Sequence, residues 1–307
     1  MTGTVTILGA NGRLGHVACE TFIAKGWQTR GFVRAGREGG LPDGVEPVDG
    51  NGMDEDELAD AMSGATLIVN AMAPEYTNWE KEFPKMTKAL LRALEATGVP
   101  QILPGNVYPY GLDMPAVITE DAAQEPRSRK GRVRRDLEDA FRTAASEQGL
   151  KTIIIRAGDF FGAGAGGWLD EAILKEAGSG TFRYPGKPDL EHAWAYLPDF
   201  AAAIEALAHK VPDLPAYASY GFAGHTLTGH ALHGAAEAAL DRKLAVKSMP
   251  WTAMTWLGLF NPMLRELVEM QHLWDQPHRI DGTALEALIG PLPHTPLNEA
   301  VAAAIAT

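Results

Sequence analysis

The sequence predicts an α/β fold, with a doubly wound parallel sheet followed by a smaller, mostly helical C-terminal lobe. Three observations predict it. Short apolar, β-branched runs alternate with amphipathic helical stretches from residue 5 to residue 156. The first run, residues 5–8, passes directly into Gly9, Gly12 and Gly15, and a helical pattern (Val17, Ala18, Phe22, Ile23) follows. Beyond Ala157 the character changes to glycine-rich loops, then to helical segments with bulky residues such as Trp251, Trp256, Leu259, Phe260 and Trp274.

A strand, a glycine turn and a helix start make an anion site. Backbone N–H groups point outward there, and the helix dipole favours negative charge. Glycine permits the turn and lets a pyrophosphate approach the backbone. The spacing therefore predicts dinucleotide binding. A tight turn that binds nothing is the plainer alternative, since the chain has 33 glycines.

The later elements follow in order. Residues 29–34 read as a second strand ending at Arg34, with Arg37 beyond it and Glu38 as the first acid. An acid at this strand's end binds a ribose 2′-OH, whereas an arginine accepts a 2′-phosphate. This favours NADP, with NAD as the alternative. Residues 55–62 read as a helix, and residues 65–73 as a strand ending in small residues that leave room for a ligand. Residues 83–97 have helical spacing and stop at Gly98. Residues 101–111 give a strand and a turn-rich loop, 132–145 a helix ended by Gly149, and 151–156 a buried strand. Residues 183–189 read as a strand or turn, 200–209 as a helix, and 217–222 as the last sheet strand.

Composition narrows the function classes. The chain has 307 residues, 46% of them hydrophobic, which suits one large domain or two unequal ones. No apolar run has the length of a membrane helix, and no secretory signal is visible. Cys19 is the only cysteine, which points to a reducing, cytoplasmic setting. The net charge of −12 gives a field that does not attract nucleic acid or anionic membrane. No metal site is expected. His230 and His233 are three apart on a helix but lack a third ligand, so they read as surface histidines. Cys19 reads as an inert core thiol.

The motifs taken together resemble the extended short-chain dehydrogenase/reductase family, also called the NAD-dependent epimerase/dehydratase group. The resemblance rests on Gly9-x-x-Gly12-x-x-Gly15, Gly50-Asn51-x-x-Asp54, residues 70–73, the 107–111 loop, residues 156–162 and residues 196–199. It implies a Rossmann NADP-binding domain over residues 1–163 and 190–224, and a small substrate lobe over 164–189 and 225–307. It places Gly9, Asn11, Gly12, Arg13, Leu14 and Gly15 at the pyrophosphate and Arg34 at a 2′-phosphate. Asn51 and Gly52 would lie near the adenine, and Ala71 and Ala73 on the floor near the ribose.

The family's catalytic set departs here. A serine or threonine and a Tyr-x-x-x-Lys pair are usual, and the matching positions hold Asn106, Lys130 and Arg134. Tyr108 and Tyr110 lie in the preceding loop, and Tyr108 is a further catalytic candidate, placed to polarise the substrate oxygen with Lys130 and Asn106. Lys130 and Arg134, four apart, share one helix face. Lys130 can donate to a developing oxyanion, Asn106 to a carbonyl, and Arg134 keeps a positive charge at the ribose. Residues 127–135 hold six basic side chains in nine, either a solvated face or a site for an anionic substrate. Phe160, Phe161 and Trp168 flank a glycine-rich segment, and they and His192 are substrate-site candidates, with core packing as the alternative for the two phenylalanines. Asp199 reads as structural, for example a helix cap.

The resemblance implies an NADP-dependent oxidoreductase or epimerase/dehydratase-type enzyme acting on a small carbonyl or hydroxyl compound. A homodimer is compatible with it. Two alternatives stand beside it: a non-catalytic NADP-binding regulator like the NmrA-like branch, and a redox-neutral lyase or isomerase.

Overall fold

The computed structural model describes residues 2–306. In chain order its first half runs β1 (Thr4–Leu8), α1 (Arg13–Ala24), β2 (Gln28–Val33), β3 (Glu46–Asp49), α2 (Glu55–Met62), β4 (Leu67–Asn70), α3 (Trp79–Thr97), β5 (Gln101–Gly105), β6 (Val117–Ile118), α4 (Arg129–Gln148), β7 (Thr152–Arg156) and β8 (Asp159–Phe161). Then follow β9 (Thr181–Tyr184), β10 (Glu191–Tyr196), α5 (Leu197–Ala208), β11 (Tyr217–Gly221), β12 (His225–Thr228), α6 (Gly229–Leu240), β13 (Ala245–Ser248), α7 (Trp251–Leu257), α8 (Pro262–Glu269), β14 (Arg279–Ile280), α9 (Thr283–Ile289) and α10 (Leu297–Ala306).

Seven strands form one parallel sheet in the order β11-β7-β5-β4-β1-β2-β3. The strands are apolar on both faces because helices cover both. Val5, Ile7, Ile153 and Ile155 pack toward α1 and α5, while Leu8 and Ile154 point to the opposite core with α2, α3 and α4. The order reverses between β1 and β4, so a crevice opens at their carboxyl ends, where open α/β sheets bind ligands. A second, three-stranded sheet has the order β12-β10-β8, with β12 antiparallel and β8 parallel to β10. No helix among the described residues is long and apolar enough to cross a membrane.

Local chemistry sets the helix ends, and it moves several of them from the predicted positions. Asp54 accepts the amides of Asp56 and Glu57 and starts α2. The Ser128 hydroxyl accepts the Gly131 amide, so α4 begins at Arg129 rather than 132. Helix α3 begins at Trp79 rather than 83, because Trp79 and Phe83 bury on one face four residues apart. Helix α5 begins at Leu197, so Asp199 lies inside its first turn and does not cap it. The Asp199 carboxylate instead accepts the amide and hydroxyl of Thr295, both at 2.7 Å, and ties the C-terminal segment down. Gly98 and Gly149 end α3 and α4 in the left-handed conformation.

Cys19 is buried on α1, and burial with the nearby Glu20 pushes its thiol up to about 12. The hairpin of α7 and α8 is the contrasting region. There Trp256, Leu257, Leu259, Phe260 and Met263 are exposed.

A buried ion pair joins α4 to the sheet. Arg156, at the end of β7, donates to both oxygens of Glu138 at 2.7 and 3.1 Å, and Gln124 donates to Glu138 at 2.8 Å. Burial alone would raise the Glu138 carboxyl, but Arg156 and Arg134 hold it below the usual carboxylate range. Glu138→Ala should therefore destabilise the protein by about 3–5 kcal/mol in urea unfolding, since Arg156 is left buried and unpaired. The folded-state value is the lower one. The pair's contribution is thus complete above the ordinary glutamate range and fades as pH falls through the folded value. The wild-type advantage over Glu138→Gln should shrink on acidification.

Candidate active site

The glycine turn sits at the switch point. Gly9 has φ +79°, and its amide donates to the Phe32 carbonyl at 3.0 Å. A Cβ on Gly9 would approach the backbone of Ala71 and Met72 to 3.0 Å. A Cβ on Gly15 would overlap the Gly9 carbonyl oxygen, so α1 can start this close to β1 only with glycine there. The amides of Arg13, Leu14 and Gly15 open α1 with no acceptor among the described residues. Unpartnered amides on a helix dipole suit a diphosphate.

The rest of the predicted cofactor set is arranged around this turn. The Asn11 side-chain amide donates to the Arg37 carbonyl, which fixes the loop after β2. Arg34 and Arg37 are exposed at the end of β2, and the Arg34 side chain pairs with no described residue. The Glu38 carboxylate folds onto its own loop and accepts the Gly36 amide at 2.8 Å. Asn51 is held by Glu57 at 2.6 Å, and a Cβ on Gly52 would meet the Met72 sulfur. The Ala71 amide bonds to Leu8, while Ala73 is exposed beyond β4.

The predicted catalytic residues converge through contacts that bind most of them internally. Asn106 accepts the Tyr108 amide at 3.1 Å through its side-chain oxygen, and its carbonyl accepts from Arg156 at 2.7 Å. Arg134 is buried and donates to the Pro104 carbonyl at 2.6 Å, leaving its Nε without a partner. The Lys130 ammonium is also buried. It donates to Glu266 at 2.7 Å and to the Tyr76 carbonyl at 2.6 Å, and lies 3.9 Å from the Tyr76 ring centroid. Burial alone would raise the Glu266 carboxyl, but the hydrogen bonds and charges of Lys130 and Arg129 hold it below its usual range.

Tyr108 connects this cluster to a second one. Its phenol meets those of Tyr76 and the Trp168 indole, with Asp159 and Arg134 nearby. Burial foremost, then Asp159, pushes it well above the ordinary tyrosine value, so it stays protonated. Asp159 pairs with His192 at 2.7 Å, and both are buried. His192 stacks on Trp274 with ring centroids 4.0 Å apart, and His278 meets it edge-on at 4.4 Å. Burial and His192 lower His278 to about 3, so it stays neutral.

Among the predicted substrate residues, Phe161 is a core side chain packed on Trp194, Tyr196 and His225. Phe160 packs on Phe200. Trp168 is partly exposed and stands edge-on to Trp251 and Trp274. The basic run divides: Arg129, Lys130 and Arg134 turn inward, while Arg127, Arg132 and Arg135 stay at the surface. His230 is exposed, His233 bonds the Leu244 carbonyl, and no metal-binding group occurs among the described residues. Sequence reasoning missed Tyr76, Asp159, Glu266 and Glu269. Glu266 and Glu269 are spaced for one helix face, but nothing in the sequence links them to Arg129 and Lys130.

Residues 9–161 match the NAD(P)H-binding family. No curated protein sequence matches the chain. Among solved structures, the chain is similar to the Bordetella bronchiseptica enzyme WbmH in complex with NAD+, at 17% identity, TM-score 0.75, and 100% and 98% coverage of the two chains. It is similar to a GalE-like L-threonine dehydrogenase from Cupriavidus necator in its holo form, at 20% identity, TM-score 0.77 and 99% coverage of each chain. It is also similar to UDP-glucose 4-epimerase from Bifidobacterium longum in complex with NAD+ and UDP, at 14% identity, TM-score 0.77, and 98% and 97% coverage. At these identities the likeness shows a shared fold.

Glu266 also accepts from Arg129 at 3.1 Å, so removing Glu266, not Lys130, strands a buried charge. Glu266→Leu should cost about 3–5 kcal/mol in thermal or urea unfolding, and adding Lys130→Met should return much of it. A double variant no more stable than Glu266→Leu would show that the pair does not act as a unit.

Proposed function

We propose that this chain, which matches the NAD(P)H-binding family over residues 9–161 and resembles the extended short-chain dehydrogenase/reductase group, is an NADP-dependent oxidoreductase or epimerase/dehydratase-type enzyme acting on a small carbonyl or hydroxyl compound. The observation that carries the reading is the row of unpartnered amides at Arg13, Leu14 and Gly15 on the glycine turn. The exposed Arg34, with Glu38 folded away onto Gly36, supports NADP over NAD. The orphan Nε of Arg134 supports a polar partner at the ribose.

A nicotinamide cofactor held there supplies or accepts a hydride. The chain's own task is to hold the substrate oxygen and move a proton. Tyr108, protonated through the working pH range, donates to that oxygen, and Asn106 orients the loop that presents it. Arg134 supplies the positive charge beside them. Lys130 joins when an anionic substrate takes the place of Glu266. Trp168, His192 and Phe160 form the substrate side in this reading. Residues 164–189 and 225–307 serve as the substrate lobe, and 1–163 with 190–224 as the cofactor domain, in a cytoplasmic protein.

The α3–α4 surface supports a homodimer. It carries a groove of about 660 Å³ lined by Phe83, Leu91, Val133 and Leu137, with Lys88 and Asp136 on its rim. Apolar lining with charges of both signs suits the self-complementary contact that two-fold symmetry requires. A second functional reading, a cofactor-binding regulator, draws on the Lys130–Glu266 pair, which occupies the amine expected to serve catalysis.

Binding and turnover separate the two readings. NADPH should bind more tightly than NADH, and Arg34→Ala should weaken NADPH alone by roughly 10- to 100-fold, the range for a lost charge-assisted bond. A panel of small carbonyl compounds should oxidise NADPH. Tyr108→Phe should then lower turnover by about 10²- to 10⁴-fold with NADPH affinity unchanged. Tight NADPH binding without oxidation by any member of the panel favours the regulator.

A further inference from the structure

The side chain of Arg13 has an arrangement that dinucleotide binding alone does not require. Arg13 is the first residue of α1, and its main-chain amide is one of the three without an acceptor. Its guanidinium reaches 149 residues along the chain to the loop after β8. There it donates to the Gly162 carbonyl at 2.8 Å and the Ala163 carbonyl at 3.4 Å. It also lies 4.0 Å from the Asp170 carboxylate. Asp170 in turn accepts the amides of Gly166 and Gly167, so both ends of the loop are pinned. A Cβ on Gly167 would come 2.8 Å from Arg13 Nη1, which shows how closely the loop lies on the arginine.

The loop's backbone is unusual between these pins. Ala163 has φ +56°, one of two non-glycine residues with positive φ among those described, in a stretch where Gly162, Gly164 and Gly166 are also positive. An alanine holds this conformation only where surrounding contacts impose it, and the Arg13 bond to its carbonyl is such a contact.

We infer that residues 162–167 form a strap across the dinucleotide mouth, with Arg13 as its clasp and Asp170 as its anchor. This rests on the dinucleotide reading. A diphosphate seated on the amides of Arg13, Leu14 and Gly15 lies at the foot of the strap, so the cofactor enters and leaves only when the clasp opens. Arg13 is thus a positioning residue that sets exchange rates through its side chain, while its amide serves binding. The planar fork of arginine suits two neighbouring carbonyls, and lysine cannot reproduce it.

Stopped-flow fluorescence with NADPH, together with amide hydrogen exchange on the cofactor-free protein, tests the strap. Arg13→Ala, Arg13→Lys and Asp170→Ala should each raise both the association and dissociation rates of NADPH, on the order of tenfold, with a smaller change in Kd. They should also speed exchange at residues 162–167 by a similar factor. If Arg13→Ala slows association while Asp170→Ala matches wild type, Arg13 is a direct anion contact and the strap is overturned. Unchanged exchange beside normal NADPH binding overturns the strap alone. Failure of the wild type to bind NADPH or NADH overturns the cofactor reading, and the strap's role with it.

Discussion

The pair between Glu138 and Arg156 is the constraint on which the site depends. Helix α4 must lie against the end of β7 for its inward face to meet the crevice, and this pair fixes that approach in the core. Arg156 also donates to the Asn106 carbonyl, so one guanidinium sets both the helix and the loop after β5. Arg134 lies one turn before Glu138, and Lys130 one turn before that, so the same buried helix face runs on to the contacts with Tyr76 and Glu266. Tyr110 stacks against Arg156, with its guanidinium 5.4 Å from the ring, and closes the loop over the pair. The charges need each other there, because neither finds water.

The fold was legible because its signals are local and repeated. Continuous apolar runs such as 153–155 have to be buried on both faces, and that condition alone calls for helices on each side of the sheet. The glycine turn was legible for the same reason, since its spacing encodes a backbone approach. Helix starts were read less well: Ser128 and the Trp79–Phe83 contact moved two of them toward the N-terminus. Asp199 was recognised as structural, but its partner, Thr295, lies 96 residues on and leaves no trace in spacing.

The candidate site was partly legible, and the missing part has a common cause. Position identified Asn106, Lys130 and Arg134, but their charges are balanced by groups brought in by tertiary packing. Glu266 is 136 residues from Lys130, and Asp159 is 33 from His192. The basic run shows the same limit. Six positive side chains in nine residues suggest one surface, but helical geometry turns three inward, where each finds a carbonyl or carboxylate. Whether a charge is solvated, paired or poised for a ligand depends on the opposite wall, and the sequence shows only one wall at a time.

The Lys130–Glu266 contact acts as a cross-link hidden inside the fold. It holds α8 against α4 and the segment around Tyr76, out of reach of water. The hairpin of α7 and α8 is therefore fastened at its base by a charge pair that solvent does not screen, while Trp256, Leu259 and Phe260 stand in the open beyond that anchor.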